Sequence, residues 1–174
     1  MKFSLYLFAF VLMTLTLPAH AQIEWLSMAQ LEARMQEEPR KVLVKIYTEN
    51  CNWCKRMDEE TFEQAYVAEY VNEYYYAVAL DANTQKEIIF KGESYKYSKD
   101  GKFGRHELAV ELTKGNLSYP SVVFLDGELN VLQSISGYKP YPLFQQIMTY
   151  YGMDYHTRMP WSSYQNSYVP RREE

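Results

Sequence analysis

The sequence predicts an α/β fold in three layers, a central mixed β-sheet with helices on both faces. Short β-branched and aromatic runs alternate with segments of helical period, which is the signature of strands joined through helices. The last two apolar runs are linked at Asp126-Gly127, tightly enough to pair antiparallel, so the sheet is mixed. A chain of 174 residues, 47% hydrophobic and 16% aromatic, is long and apolar enough for one domain with a real core.

Ile23 to Glu38 places Ile23, Trp25, Leu26, Met28, Leu31 and Met35 near helical spacing, and Pro39 closes it, so a first helix is expected there. Lys41–Tyr47 is a strand by composition and runs directly into Cys51-Asn52-Trp53-Cys54. Helix continues over Glu59–Tyr74, followed by a strand at Tyr75–Leu80 ending in Asp81. Residues 82–103 are polar and lack a helical period. Tyr95, Tyr97 and Phe103 flank Asp100-Gly101 there, a hairpin signal that marks the segment as an insertion. A helix at Arg105–Lys114, strands at Ser121–Leu125 and Glu128–Ile135, and a helix at Tyr141–Tyr151 complete the domain, which spans residues 22–151. Residues 152–174, rich in Tyr, Ser and Pro, are expected to form a loosely packed or disordered tail.

Lys2, the apolar run Phe3–Leu17 and Pro18-Ala19-His20-Ala21 describe a signal peptide over residues 1–21, cleaved before Gln22. The run is short for a membrane span, so no stable membrane insertion is expected after cleavage. No cysteine follows it for lipoprotein processing. Cleavage removes one lysine and leaves 17 basic against 22 acidic side chains, a charge of −5 with no basic stripe. Nucleic acid is therefore not an expected partner. Export to the periplasm, or full secretion, also implies an oxidising compartment, where a cysteine pair is either a bridge or a dithiol kept reduced by a partner.

Cys51 and Cys54 are the only cysteines in the chain. Their spacing suits a reversible disulfide at a helix start, but C-x-x-C also serves zinc and haem attachment. A structural zinc usually needs four ligands, and the mature chain offers only His106 and His156 beyond the pair. Neither histidine has a partner pattern, and both are taken as single surface or helix-face residues. Haem attachment needs a histidine after the second cysteine, where this chain has Lys55. A purely structural bridge closing about four residues contributes roughly 2 kcal/mol in the chain-entropy model, against about 3 for fifteen, so it makes a poor staple.

Val42–Tyr47 leading to Cys51-Asn-Trp-Cys54-Lys55, then Met57, Thr61-Phe62, Tyr119-Pro120-Ser121-Val-Val-Phe-Leu-Asp126 and Gly137-Tyr138, resembles the thioredoxin superfamily. Within it the chain is similar to secreted bacterial thioredoxin-like proteins with a C-x-W-C site. The likeness covers residues 23–151 and implies a thioredoxin-like three-layer fold and thiol–disulfide exchange with no cofactor and no metal. Cys51, at the helix start, is then the nucleophile and Cys54 the resolving thiol. The Tyr119–Pro120 bond is implied to be cis and to lie beside the cysteines, with Trp53, Tyr119 and Pro120 docking substrate and Tyr47 and Tyr138 walling the site. Many members carry a buried acid six residues before the first cysteine, where this chain has Lys45. A cation there would favour a thiolate, whereas a snorkelling amine would only pack its stem. Glu49, Asp58, Glu59 and Glu60 are expected to form a solvated acidic rim.

The resemblance implies an oxidoreductase that reduces protein disulfides, with protein disulfide or dithiol substrates and an unidentified electron donor. The same residues would serve an oxidase or isomerase. A non-catalytic binding module, using the aromatic rim and the 82–103 insertion, is the alternative of a different class.

Overall fold

The computed structural model describes residues 21–100 and 103–170. The signal-peptide reading falls on residues 1–20 and the Asp100-Gly101 turn on residues 101–102, which lie outside the described residues. Five strands form the central sheet: β1 (Trp25–Leu26), β2 (Lys41–Tyr47), β3 (Tyr75–Asp81), β8 (Ser121–Leu125) and β9 (Val131–Ser136), in the order β1-β3-β2-β8-β9. β1 and β2 run parallel to β3, and β8 runs antiparallel to β2 and β9. β2 and β8 are buried almost throughout, as continuous apolar runs covered on both faces should be.

Alternation along these strands sorts the core into two clusters. Leu43, Ala77, Val122 and Phe124 face one layer of helix: α2 (Asn52–Met57), α3 (Ala65–Tyr74) and α5 (Tyr141–Gly152), through Met57, Val67, Val71, Phe144 and Met148. Val42, Val44, Ile46, Val78 and Val123 face the other, α1 (Met28–Glu37) and α4 (Glu107–Leu112), through Leu31, Leu108 and Leu112. The expected three layers are therefore present. Among the described residues no helix is long and apolar enough to cross a membrane.

Several boundaries differ from the sequence reading. The first helix begins at Met28 because Ser27 and Gln30 form a capping box, the Ser27 N–H donating to Gln30 Oε1 at 2.8 Å and the Gln30 N–H to Ser27 Oγ at 3.3 Å. This frees Trp25 and Leu26 to pair with Ala77 and Val78 at the sheet edge. The expected Glu59–Tyr74 helix is divided into a π-turn at Asp58–Phe62 and α3, with a break at Glu63-Gln64. The insertion holds two hairpins. β4 (Ile88–Phe90) and β5 (Glu93–Tyr95) turn at Lys91-Gly92, both left-handed at φ 54 and 79, the geometry of a two-residue hairpin loop. β6 (Tyr97–Asp100) pairs with β7 (Phe103–His106).

The loosely packed tail is a correction. Residues 155–157 form a 3-10 turn and Trp161–Ser167 a helix, α6. Tyr164 is buried against Tyr150 and Tyr155, its ring centroid 5.0 and 4.9 Å from theirs. Trp161, Tyr164 and Tyr168 share one helical face, so burial of aromatic surface onto α5 orders the segment.

His106 is a second correction, since it is fully buried rather than a surface residue. Its Nδ1 accepts the Leu108 N–H at 3.3 Å as the cap of α4, and its Nε2–H donates to the Lys86 carbonyl at 3.0 Å. One ring thus ties the insertion to the helix that follows it. His106→Leu is expected to cost about 2–4 kcal/mol, by loss of the cap and an orphaned carbonyl, measured as a fall in denaturant midpoint. Lys86→Ala should leave the midpoint nearly unchanged, because only its main chain is engaged.

Candidate active site

Register builds the site. Ile46 pairs with Ser121, and Ser121 with Ser136, so the residues one step beyond, Tyr47, Pro120 and Gly137, meet along one edge of the sheet. The Gly137 N–H donates to the Pro120 carbonyl at 2.7 Å, and Gly137 turns the chain at φ 80, where a side chain would be strained. The Tyr119–Pro120 bond is cis.

From Tyr47 the chain turns through Thr48, whose carbonyl accepts the Cys51 N–H at 3.1 Å, and enters α2. Cys51 occupies the N-cap position, and its Sγ accepts the Cys54 N–H at 3.0 Å. The two cysteines form a disulfide with Cα atoms 5.2 Å apart. Cys54 is 2% exposed whereas Cys51 is half-buried, so only one sulfur can be approached from outside. Once the bond is reduced, a Cys51 thiolate would face the same N–H, a charge-assisted contact that favours ionisation.

Lys45 projects to the same face as Leu43, beneath α2 and the π-turn. Its amine is neither free nor turned to water. Nζ lies 2.7 Å from Asp58 Oδ1 and 4.5, 5.2 and 5.6 Å from the rings of Trp25, Tyr47 and Phe62. The lysine side chain is 9% exposed and the aspartate 37%, and a cavity of about 300 Å³ opens onto the pair. Asp58, at the C-terminal end of the cysteine helix, therefore leaves the expected acidic rim and neutralises the lysine.

Glu60 leaves it too. Trp53 is 54% exposed, and its ring lies 5.7 Å from that of Tyr138. The Arg56 guanidinium lies over both, 5.4 and 5.2 Å from their centroids. Glu60 accepts from Arg56 Nε at 2.9 Å with one oxygen and from the Tyr138 hydroxyl with the other. The Tyr138 hydroxyl and then Arg56 hold the Glu60 carboxyl below its usual range, and Glu60 in turn raises the pKa of Tyr138. Lys139 clasps the loop that carries Tyr138, donating to the carbonyls of Ser136, Gly137 and Tyr138 at 2.6, 3.2 and 3.4 Å. The Lys139 carbonyl accepts from Thr61 Oγ1 at 2.8 Å, and burial lowers the pKa of the lysine amine.

The structure thus gathers Cys51, Cys54, Trp53, Pro120 and Lys45 at one end of the sheet. Tyr119 is set apart, packed on the opposite core cluster with Leu108 and Leu112, and burial raises its pKa. Sequence reasoning missed Arg56 and read Glu60 only as part of a solvated rim, although Arg56-x-x-x-Glu60 is a legible i,i+4 pair. Among the described residues no group of three or more His, Cys, Asp or Glu could hold a metal. Because the Glu60 pKa is depressed in the folded chain, its contribution is present above about pH 4.3, the unperturbed value, and is lost as pH falls through the folded value. Trp53 fluorescence should show a transition below about pH 4.3 that Glu60→Gln abolishes.

The family model described as Thioredox_DsbH, protein of unknown function, DUF255, matches residues 10–99. No curated protein matches the chain. Among solved structures, a thioredoxin-fold protein from Helicobacter pylori aligns over 74% of this chain and 83% of its own, at 14% identity and a TM-score of 0.58. A structure named DsbH oxidoreductase covers 81% and 92%, at 14% identity and a TM-score of 0.55. A putative disulphide-isomerase from Bacteroides thetaiotaomicron covers 77% and 95%, at 20% identity and a TM-score of 0.52. Likeness at such identities speaks for the fold, and the family match goes further: the chain belongs to the Thioredox_DsbH family, DUF255, and sets its one disulfide at the edge of a thioredoxin-like sheet.

Proposed function

We propose that the protein is an exported thiol–disulfide oxidoreductase of the C-x-W-C type that reduces protein disulfides. The observation that carries the reading is the asymmetric pair, Cys51 accessible and capped by an N–H, Cys54 buried one turn behind it. The names of the similar structures, DsbH oxidoreductase and a putative disulphide-isomerase, support the same chemistry.

In the reducing direction the Cys51 thiolate attacks one sulfur of a substrate disulfide, and the other sulfur leaves as a thiolate that takes a proton from water. Cys54, deprotonated in turn, attacks Cys51 Sγ and breaks the mixed disulfide, releasing the second substrate thiol. Two electrons pass to the substrate, and Cys51–Cys54 is left oxidised until a dithiol donor restores it. Trp53 and the Tyr119 main chain receive the substrate beside Pro120, the Tyr119 ring being packed into the opposite core cluster. The Pro120 carbonyl is committed to Gly137, so main-chain docking falls to Tyr119, one residue earlier.

Charge supports reduction over oxidation. A strong oxidant stabilises its reduced thiolate heavily. Here the cation beneath the site is already paired with Asp58, and Glu49 and Glu59 lie nearby in the sequence. Export, to the periplasm or beyond, is supported by the basic start, apolar run and Ala-x-Ala ending of residues 1–21.

Wild type should accelerate insulin reduction by dithiothreitol, and Cys51→Ser should reduce it to the uncatalysed rate. Equal rates for the two would favour a binding module. Lys45 tunes the site through the balance it keeps with Asp58, which lies one helical turn after Cys54. Lys45→Met leaves that carboxylate unbalanced and should raise the cysteine thiol titration by about one pKa unit, followed by thiolate absorbance. An unchanged titration would remove the tuning role.

A further inference from the structure

Trp53 stands more than half exposed beside the reactive sulfur, yet it is not loose. Arg56, three residues along the same helix, lies over the indole, and Tyr138 approaches from the loop after β9 at an interplanar angle of 42°. Two separate elements must therefore agree on one geometry. Glu60 enforces the agreement, since its two oxygens take the Arg56 Nε–H and the Tyr138 hydroxyl. Lys139 and Thr61 anchor the backbone behind Tyr138, so the ring cannot follow a displaced helix side chain.

Charge within this group cancels, because the guanidinium is answered by the carboxylate and the phenol hydroxyl is consumed by it. Arg56 and Glu60 stay about half exposed but are paired with each other, and the Trp53 ring is the large apolar surface left open beside them. An open ring adjoining a nucleophile, flanked by charges already paired with each other, suits an apolar side chain.

We propose that Glu60 is a positioning residue which locks Arg56 and Tyr138 against Trp53, and that the resulting platform takes up an apolar side chain adjoining the substrate cysteine. The inference rests on the oxidoreductase reading and adds a substrate class to it. Neither Glu60 nor Tyr138 touches the reacting sulfurs; they act through the Trp53 ring.

The test uses the full mature chain with dithiothreitol as electron donor and three probes: hydroxyethyl disulfide, and two cyclic disulfide peptides differing only in Phe or Ser beside one cysteine. Wild type should show a KM about fivefold lower for the Phe peptide than for the Ser peptide, at similar kcat. Glu60→Gln and Tyr138→Phe should each erase most of that difference by raising the Phe-peptide KM, and in Glu60→Gln the kcat, the Cys51–Cys54 potential and hydroxyethyl disulfide turnover should be unchanged. Combining the two should add little, because both break the same contact. With 5-fluorotryptophan incorporated, the Trp53 resonance, assigned by its loss in Trp53→Phe, should shift in either variant while those of Trp25 and Trp161 stay in place. This also shows that the fold is intact.

Equal peptide KM values in wild type overturn the apolar platform. A Phe preference that survives Glu60→Gln with an unmoved Trp53 resonance overturns the positioning role. Slower turnover of hydroxyethyl disulfide in Glu60→Gln also overturns it, by locating the effect at the sulfurs. Failure of wild type to reduce any of the three probes overturns the oxidoreductase reading, and this proposal with it.

Discussion

The active edge depends on the register in which β2, β8 and β9 pair. With Ile46 opposite Ser121 and Ser121 opposite Ser136, three chain segments far apart in sequence end at one line. A slip of one residue would move every side chain of a strand to the other face, sending Lys45 into the cluster beneath α1 and α4 and drawing Leu43 away from α5. The register is held by burial, because Val42, Val44, Val122, Val123 and Phe124 are enclosed on opposite faces and cannot exchange places without clashes or cavities.

From that edge the π-turn after α2 distributes contacts to both sides. Asp58 reaches down to Lys45, Glu60 outward to Arg56 and Tyr138, and Thr61 across to the carbonyl of Lys139. Such turns widen a helix by one residue and are frequent at functional sites. Here the turn lies directly behind the cysteine helix, and two of its three acids are paired, Asp58 with Lys45 and Glu60 with Arg56. Lys45 is also surrounded by the rings of Trp25, Tyr47 and Phe62, which help to offset the cost of desolvating its charge.

Long-range aromatic packing decides the rest of the architecture. Tyr75 donates its hydroxyl to the Met148 carbonyl at 2.6 Å from deep within the core, and burial pushes its pKa up strongly. Tyr150 and Tyr151 then extend the core toward Trp161 and Tyr164, so the segment expected to be loose becomes a further packed helix. Buried tyrosines serve as amphipathic filling, the Tyr75 and Tyr150 hydroxyls donating to the Met148 and Met159 carbonyls.

Sequence by itself determined the alternation of strand and helix, the mixed sheet and the cysteine pair at a strand's end, because these are local properties of apolar period and spacing. It also held the Ser27-x-x-Gln30 cap and the Trp161, Tyr164, Tyr168 face, signals present but outweighed by the apolar period before Ser27 and the polar composition of the tail. Tertiary structure alone decided that Lys45 is balanced by Asp58, that His106 is buried between insertion and helix, and that Glu60 joins Arg56 to Tyr138. The Lys45, His106 and Tyr138 contacts cross 13, 20 and 78 residues. Local pattern reports which face a side chain prefers, whereas the partner a charge meets there depends on which distant segment the register brings alongside.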